Sequence, residues 1–466
     1  MKKNRLLLFI LGISILLRLV NINQSLWLDE SASTLISRLS LEVILTRNTG
    51  DFMPSLFYFL LHFWMLVWAS EVWMRLLPLL FGVGSIFLVY SIGKILFSKS
   101  IGLLSAFLLA LSPFHIYYSI EIRPYSLVIF LVLLSTYFLL KNNFVRYALT
   151  AVFLPHTLYT AVFIFLAHGL YIGIYEKKQI KHWIASMLIV GIFFIPWLPV
   201  FVKQLDSGHD LVTALPGWGS TASSPIIKAL PLILAKFTLG RVTIDNKIMY
   251  GIVFLYTSIL ALFLLFTGRK RQKNQIEKTL ILFIVPIVGA TLFSFYLPVI
   301  APQRVIYALP FFLILMSAGL HYFKPRLRLF LTICFLLPSM YGLLQYYINP
   351  RFQREQWREA TAFVEAHADK DTGVVFAFPE PFGPYLWYRK QENLGRGFAK
   401  GLVVSDSDID DLDQYAKQKN RIFFFQYLTE LTDPKGKIAS NLQRSDFSLK
   451  QTYDFSGVGF IYEYQK

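Results

Sequence analysis

The chain has 466 residues, 55% of them apolar and 17% aromatic, with only 16% charged. An average soluble domain carries about 25% charge, so these values exclude one large soluble enzyme, and they exclude a disordered chain, which needs low hydrophobicity. The formal charge of +17 does not mark a nucleic-acid partner: residues 351–466 hold 16 Lys+Arg against 17 Asp+Glu, while residues 1–350 hold 29 against 11, in short clusters between apolar runs, as in the cytoplasmic loops of a polytopic membrane protein.

The first apolar run, 5–22, follows the basic start Met1-Lys2-Lys3-Asn4 and has no small-residue cleavage site. It predicts an uncleaved first span with its N-terminus inside. Ten further runs are long enough to cross about 30 Å of hydrocarbon: 74–97, 101–118, 124–140, 144–158, 159–175, 183–201, 248–267, 278–298, 303–320 and 327–346. The apolar stretch 54–70 carries Pro54, His62, Trp64 and Trp68, which predicts a helix in the outer interface rather than a crossing. With 54–70 kept outside, the basic clusters around Lys2, Lys94, Lys141, Lys177, Arg269 and Lys324 all fall on the cytoplasmic side. The reading is about 11–13 transmembrane helices, the upper figure counting 54–70 and the amphipathic stretch 225–240.

The expected architecture is an all-α polytopic membrane domain over 1–349, with outer loops at about 23–73 and 202–247, followed by a small extracytoplasmic α/β domain over 350–466. In the tail, 354–368 has helical spacing, and 374–378, 401–404, 422–427 and 458–464 read as strands by β-branched and aromatic content. At about 115 residues it can bury its own core. One cysteine, Cys334, leaves no internal disulfide or cysteine zinc cluster. The eight histidines show no zinc-helix spacing, and no phosphate loop, nucleotide fingerprint or nucleophile elbow occurs.

Chemistry concentrates in the outer loops. Asp29 and Glu30 are adjacent carboxylates just past the first span; such a pair can hold a divalent cation or supply a general base, or cap a helix starting near Ser31. Glu121 and Arg123 stand before Pro124, where an acid and an arginine could serve an acceptor or metal and a phosphate, or pair with each other. Arg75, Lys203 and Arg304 are further cationic candidates for a phosphate, against the alternative of snorkelling at headgroup depth.

The ordered motifs resemble the polytopic GT-C glycosyltransferases, in particular the branch of the protein O-mannosyltransferases and the lipid A aminoarabinose transferase. These are Asp29-Glu30; Asp51 before Met53-Pro54-Ser55-Leu56-Phe57; Ser70-Glu71-Val72-Trp73-Met74-Arg75; Leu111-Ser112-Pro113-Phe114-His115; Glu121-Ile122-Arg123-Pro124-Tyr125; Leu158-Tyr159-Thr160; Pro196-Trp197-Leu198-Pro199 with Gln204; Arg304-Val305-Ile306-Tyr307; and Trp357-Arg358-Glu359-Ala360. The resemblance covers about residues 1–365.

That resemblance implies a hexosyl- or pentosyltransferase of the cell membrane, using a polyprenyl-phosphate sugar on the extracytoplasmic face, with inversion, for cell-envelope glycosylation. Its partners would be membrane lipids, the lipid-linked donor and a lipid, glycan or protein acceptor. It implies Asp29, Glu30 and Glu121 as catalytic acids, Arg75, Arg123, Lys203 and Arg304 toward the donor phosphate, and Asp51, Tyr125 and Tyr307 toward substrate. A divalent cation (Mg, Mn or Zn) on Asp29 and Glu121 is part of the same expectation. Met53, Ser55 and Ala161 depart from the family pattern of histidine, proline and histidine, which puts the metal role in question. The competing readings are a lipid or glycan transporter or flippase, and a non-catalytic membrane scaffold. A transporter would more often show acids inside spans and paired broken helices.

Overall fold

In a computed structural model, residues 2–46, 51–214 and 226–466 are described. They divide into two compact units. One comprises residues 2–22, 39–46, 51–207 and 226–352; the other comprises 23–38, 208–214 and 353–466. The second unit therefore includes the Asp29-Glu30 segment, which the sequence places in the first outer loop.

The first unit is largely helical in its apolar runs: ten of the eleven expected spans lie mostly on helix, whereas 144–158 is helix only over Phe144–Ala151, followed by turns. Among the described residues, six helices are long and apolar enough to cross a membrane: Glu71–Leu96, Lys177–Asp210, Lys247–Arg271, Lys273–Phe293, Pro302–His321 and Pro325–Ile348. The pair Lys99–Ala110 and Pro113–Ser119, bent by 66°, adds a seventh if it counts as one span. The bend has a local cause. Ser112 caps a new helix by accepting the His115 N–H at 3.4 Å, and Pro113 at its first position cannot donate to the preceding turn.

The 54–70 stretch forms only the helix Leu56–Met65. Ten residues rise about 15 Å, half of the hydrocarbon thickness, so this helix cannot cross alone. It is pinned at its end: Trp64 and Trp73 stack 4.7 Å apart, and each indole N–H donates to the other's carbonyl, at 2.8 and 2.9 Å. The 225–240 stretch is the 14-residue helix Ile226–Leu239.

Helix packing in this unit relies on close backbone approach. A Cβ on Gly102 would stand 2.4 Å from the Tyr90 carbonyl oxygen, and one on Gly319 would stand 2.2 Å from that of Leu264. The first helix, Lys2–Leu19, buries a charge as well. Arg18 is fully buried; its Nη1 donates to the Ser14 carbonyl (2.9 Å) and hydroxyl (2.7 Å), and its Nη2 lies 2.7 Å from His115 Nδ1.

The second unit is built on a five-stranded sheet: β1 (Thr372–Phe376), β2 (Gly395–Gly397), β3 (Arg421–Phe425), β4 (Ser448–Phe455) and β5 (Gly459–Gln465), in spatial order β2-β1-β3-β5-β4. β1 pairs parallel with β2 and β3, and β5 pairs antiparallel with β3 and β4. One face carries Trp357, Val374, Phe376, Phe423 and Phe425, with Trp357 stacked on Phe425 at 5.7 Å. The opposite face carries Val375, Ile422, Phe424, Leu412 and Leu442.

One strand expectation changes, and the structure adds two strands, β2 and β4. Residues 401–404 are loop, tied by Val404 N–H to the Thr432 carbonyl and leading into the Ser405–Asp408 capping box of the helix Asp406–Lys417. β4 lacks an apolar run because it is a solvent-facing edge strand, and β2 is short and glycine-bearing because a Cβ on Gly397 would meet the Phe378 carbonyl at 2.3 Å.

Candidate functional site

The helix Leu28–Ser37 belongs to the second unit and packs against the helix Gly383–Tyr388. It begins at Leu28, so Asp29 and Glu30 lie inside its first turn, where carboxylates meet the positive end of the helix dipole. Their environments differ. Asp29 is part-exposed. Glu30 is fully buried, and Arg354 Nε approaches its Oε1 at 3.9 Å while the Arg354 guanidinium lies 5.7 Å over the Trp27 ring.

A third acid, Glu355, joins them. Its carboxyl accepts the Trp357 indole N–H at 2.7 Å, the Tyr427 hydroxyl at 3.0 and 3.2 Å, and the backbone N–H of Leu28. Burial pushes Glu355 up to about 7; the three donors oppose this, and the charge of Asp29 adds to it. Burial, then the charges of Glu355 and Asp29, push the Tyr427 phenol well above its usual range.

In the first unit, Asp51, Tyr58 and Arg123 come together. Arg123 Nη1 pairs with Asp51 Oδ2, its Nη2 lies 3.4 Å from Oδ1, and the Tyr58 hydroxyl donates to Oδ2 at 2.6 Å. Burial raises the Asp51 carboxyl, but the Arg123 charge and hydrogen bonds from Arg123, Tyr58 and the Met53 N–H outweigh it and hold Asp51 below the usual carboxylate value. Gln204 Nε2 donates to the Asp51 carbonyl at 2.8 Å; the Tyr159 hydroxyl donates to Gln204 Oε1, and the Trp197 indole donates to Tyr159 at 2.9 Å. A chain of side chains thus fixes the Asp51–Met53 backbone.

The remaining candidates also lie in this unit. Glu121 is buried, in the non-helical link where the Arg123 N–H bonds the Glu121 carbonyl at 2.7 Å. Tyr125 is buried, with its ring edge-on to Tyr118 at 4.9 Å. Arg75 is fully buried and donates to the Ile22 carbonyl at 2.8 Å. Tyr307 is fully buried with its hydroxyl on the Thr160 carbonyl at 2.5 Å. Arg304 is part-exposed, its Nη1 3.1 Å from the Val299 carbonyl, and Lys203 is exposed on the helix Leu198–Ala214.

The sequence reading missed Tyr58, Arg354, Glu355 and Tyr427. Tyr58 had a signal, seven residues after Asp51 at the start of an apolar helix; Glu355 had none, because its partner Leu28 is remote in the chain. Among the described residues, no three His, Cys, Asp or Glu side chains gather as a metal-binding group. Asp51, the acid nearest the departed family histidine, is committed to Arg123. The cation expected on Asp29 and Glu121 stays an expectation, and no chemical step is routed through it.

Known proteins locate this arrangement. Residues 52–154 match the family described as dolichyl-phosphate-mannose-protein mannosyltransferase. The chain is similar in fold to ArnT from Cupriavidus metallidurans bound to undecaprenyl phosphate, with a TM-score of 0.62 at 11% identity, over 98% of this chain and 97% of that one. The fold is that of the GT-C glycosyltransferases. A second GT-C structure, the archaeal oligosaccharyltransferase AglB from Archaeoglobus fulgidus in complex with an inhibitory peptide and a dolichol-phosphate, gives a TM-score of 0.51 at 12% identity, covering 98% of this chain and 74% of that one. No curated protein sequence matches the chain. The GT-C likeness is thus carried by backbone architecture and by the 52–154 segment, which contains Tyr58, Arg75, Glu121 and Arg123.

Proposed function

We propose that the protein is a multi-pass membrane glycosyltransferase that moves a sugar from a polyprenyl-phosphate donor to an acceptor on the extracytoplasmic face, inverting the anomeric carbon. The observation that carries this reading is Asp29: a part-exposed carboxylate in the first turn of the helix that follows the first apolar helix, in a chain with the GT-C fold. Support comes from the ligands of its structural neighbours, undecaprenyl phosphate for ArnT and dolichol-phosphate for AglB.

In this reading Asp29 takes the proton of an acceptor hydroxyl or amine as the acceptor lone pair bonds to the sugar C1. The bond from C1 to the phosphate oxygen breaks, and its electron pair leaves with the lipid phosphate. Attack opposite the leaving group inverts C1. Arg75, Arg123, Lys203 and Arg304 are assigned to the phosphate charge; of these, Lys203 is exposed and Arg304 part-exposed, while Arg75 and Arg123 are buried. Glu30 holds the Asp29 turn through Arg354 rather than acting as a base, and Glu121 orients the link to Arg123. In this reading the N-terminus is cytoplasmic and residues 350–466 are extracytoplasmic, as the charge of the basic loops favours. The acceptor is a lipid, a glycan or a protein.

The test is cleavage of labelled polyprenyl-phosphate sugars by purified protein in vesicles without an ion gradient. Wild type should release lipid phosphate and label the acceptor, and Asp29→Asn should not. A protein that moves the intact donor across the bilayer without cleaving it would overturn the reading in favour of a flippase.

A further inference from the structure

The helices Phe163–Tyr175, Ile180–Phe194 and Lys273–Phe293 of the first unit border a groove of about 640 Å³. Leu166 and Leu170 line it from the first helix, Trp183 from the second, and Val285, Val288 and Leu292 from the third. Leu166, Leu170, Val288 and Leu292 are exposed. In a bilayer this groove therefore opens onto hydrocarbon chains rather than onto water.

One end of the groove is cationic. Lys278 stands seven residues before Val285 and fourteen before Leu292 on one helix, and steps of seven return to nearly the same face. Its ammonium lies 5.6 Å over the Tyr171 ring and 4.9 Å over the Tyr175 ring, at the end of the facing helix. Among the described residues it forms no ion pair. Its chain neighbour Glu277 pairs with Arg269 at 3.0 Å. Lys177 and Lys178 are exposed just past Tyr175, and Lys181 is exposed at the start of the second helix, with Glu176 the acid beside them. Gly173, one turn before Lys177, faces open space.

The geometry points to a binding site for one anionic phospholipid of the cytoplasmic leaflet. Its phosphate meets Lys278, with Lys177, Lys178 and Lys181 around it, and one acyl chain fills the groove toward Leu292. The length agrees: the fourteen residues from Lys278 to Leu292 rise about 21 Å, and one headgroup layer with its leaflet of hydrocarbon spans about 20–22 Å. The sugar donor is the other lipid phosphate to weigh, and its candidate cation Arg304 lies at the opposite end. The Arg304 carbonyl accepts the Thr160 hydroxyl at 2.5 Å, just before the helix Phe163–Tyr175 begins, while Lys278 sits where that helix ends. Thirteen helical residues rise about 20 Å, so a phosphate at Lys278 is remote from one at Arg304. The choice of leaflet rests on the orientation given above; the site itself does not depend on glycosyl transfer.

Two readouts test this on the full chain. The first is native mass spectrometry after release from nanodiscs made of equal parts dioleoyl phosphatidylglycerol and dioleoyl phosphatidylcholine. Wild type should retain one phosphatidylglycerol. Lys278→Gln should lower the preference for phosphatidylglycerol over phosphatidylcholine about 5-fold, the weight of one basic residue at an anionic surface. Val288→Trp fills the groove and should lower retention of both lipids; Val288 is exposed, so the chain should still fold. Lys94→Gln, on the helix Glu71–Leu96 that does not line the groove, should behave as wild type.

The second readout is thermal melting in vesicles of either lipid alone. Phosphatidylglycerol should raise the melting temperature of wild type above its value in phosphatidylcholine, and Lys278→Gln should remove that gain while Lys94→Gln keeps it. An unchanged preference in Lys278→Gln, or an equal loss in Lys94→Gln, overturns the inference and leaves a diffuse basic surface. Displacement of the retained phosphatidylglycerol by equimolar undecaprenyl phosphate overturns it in favour of the donor's tail. A wild type that transfers no sugar but keeps its phosphatidylglycerol would end the functional reading and uphold the lipid site.

Discussion

The two acidic clusters treat a carboxylate in opposite ways. Around Asp51 the surroundings are cationic and hydroxylic, and the acid is held ionised by Arg123 and Tyr58. Around Glu355 the surroundings are aromatic and acidic, and the proton is held into the neutral range. Burial raises a carboxyl in both places; the sign of the nearest charge decides the outcome. The first environment makes a strut; the second makes a place where protons can come and go.

The sharpest test of that contrast is Asp29→Asn, which keeps shape and removes basicity. A lost general base costs on the order of 10²–10⁴ in rate, while folding, followed by thermal melting, should be unchanged because the side chain is part-exposed. Near wild-type turnover would erase the contrast and move the chemistry to the Asp51 side, with Glu121 the next acid to replace.

Asp51→Asn should do the reverse, costing stability first. It leaves the buried Arg123 guanidinium without its counter-charge, a loss of about 2–3 kcal/mol, below the full value for a buried pair because Asp51 retains some exposure. A drop in melting temperature with donor affinity preserved is the expected result. An unchanged melting temperature would show that the pair is not a strut.

Arg304→Ala examines the phosphate. If its guanidinium holds the donor, affinity measured by binding of the lipid-linked sugar should fall by about 1.5–3 kcal/mol, the range for a charge-assisted hydrogen bond, with little effect on melting.

The smallest effect is in the pH dependence of stability, where the two clusters should slope oppositely. Asp51 is depressed in the folded protein, so its contribution is present above the ordinary carboxylate value and is lost as pH falls through its folded value. Glu355 is raised from 4.5 to about 7, so the folded state binds more protons across that window and stability declines as pH rises through it, then levels off. Since Glu355 keeps some contact with solvent, this term is on the order of 1 kcal/mol. Glu355→Gln should remove the decline between pH 4.5 and 7, and Asp51→Asn should remove the loss at the acid end. Equal slopes in both variants would refute the contrast.

The sequence carried the membrane helices well, because long apolar runs have few alternatives to helix in hydrocarbon. It also carried the exception at 54–70, since Pro54 and clustered tryptophans are interface chemistry and ten helical residues are too short to cross. It singled out Asp29, Asp51 and Arg123 as candidates. It could not show that Asp51 and Arg123 are each other's partners, 72 residues apart, nor that Glu30 is buried against Arg354 while its neighbour Asp29 is not. One position along a helix turns a side chain by about 100°, and adjacency in sequence hides that. β4 was illegible for a different reason: only Tyr453 and Phe455 near the end of this edge strand pack on the core, and the exposed residues before them show no alternation to read.

The buried Arg18 has a consequence for how the chain is made. Its nearest side-chain partner outside its own helix, His115, is synthesised 97 residues later, on the order of 5–20 s at about 5–20 residues per second. During that interval the first helix must enter the bilayer with a guanidinium whose burial at mid-membrane costs about 2.5–3.5 kcal/mol. Arg18 stands one residue from the end of its helix, where the side chain can reach headgroups and wait there. It becomes a buried link only when the bent pair of helices arrives to replace water with a carbonyl of Ala110 and the ring of His115. The first helix of this protein is therefore expected to settle deeper once the residues around His115 have been made.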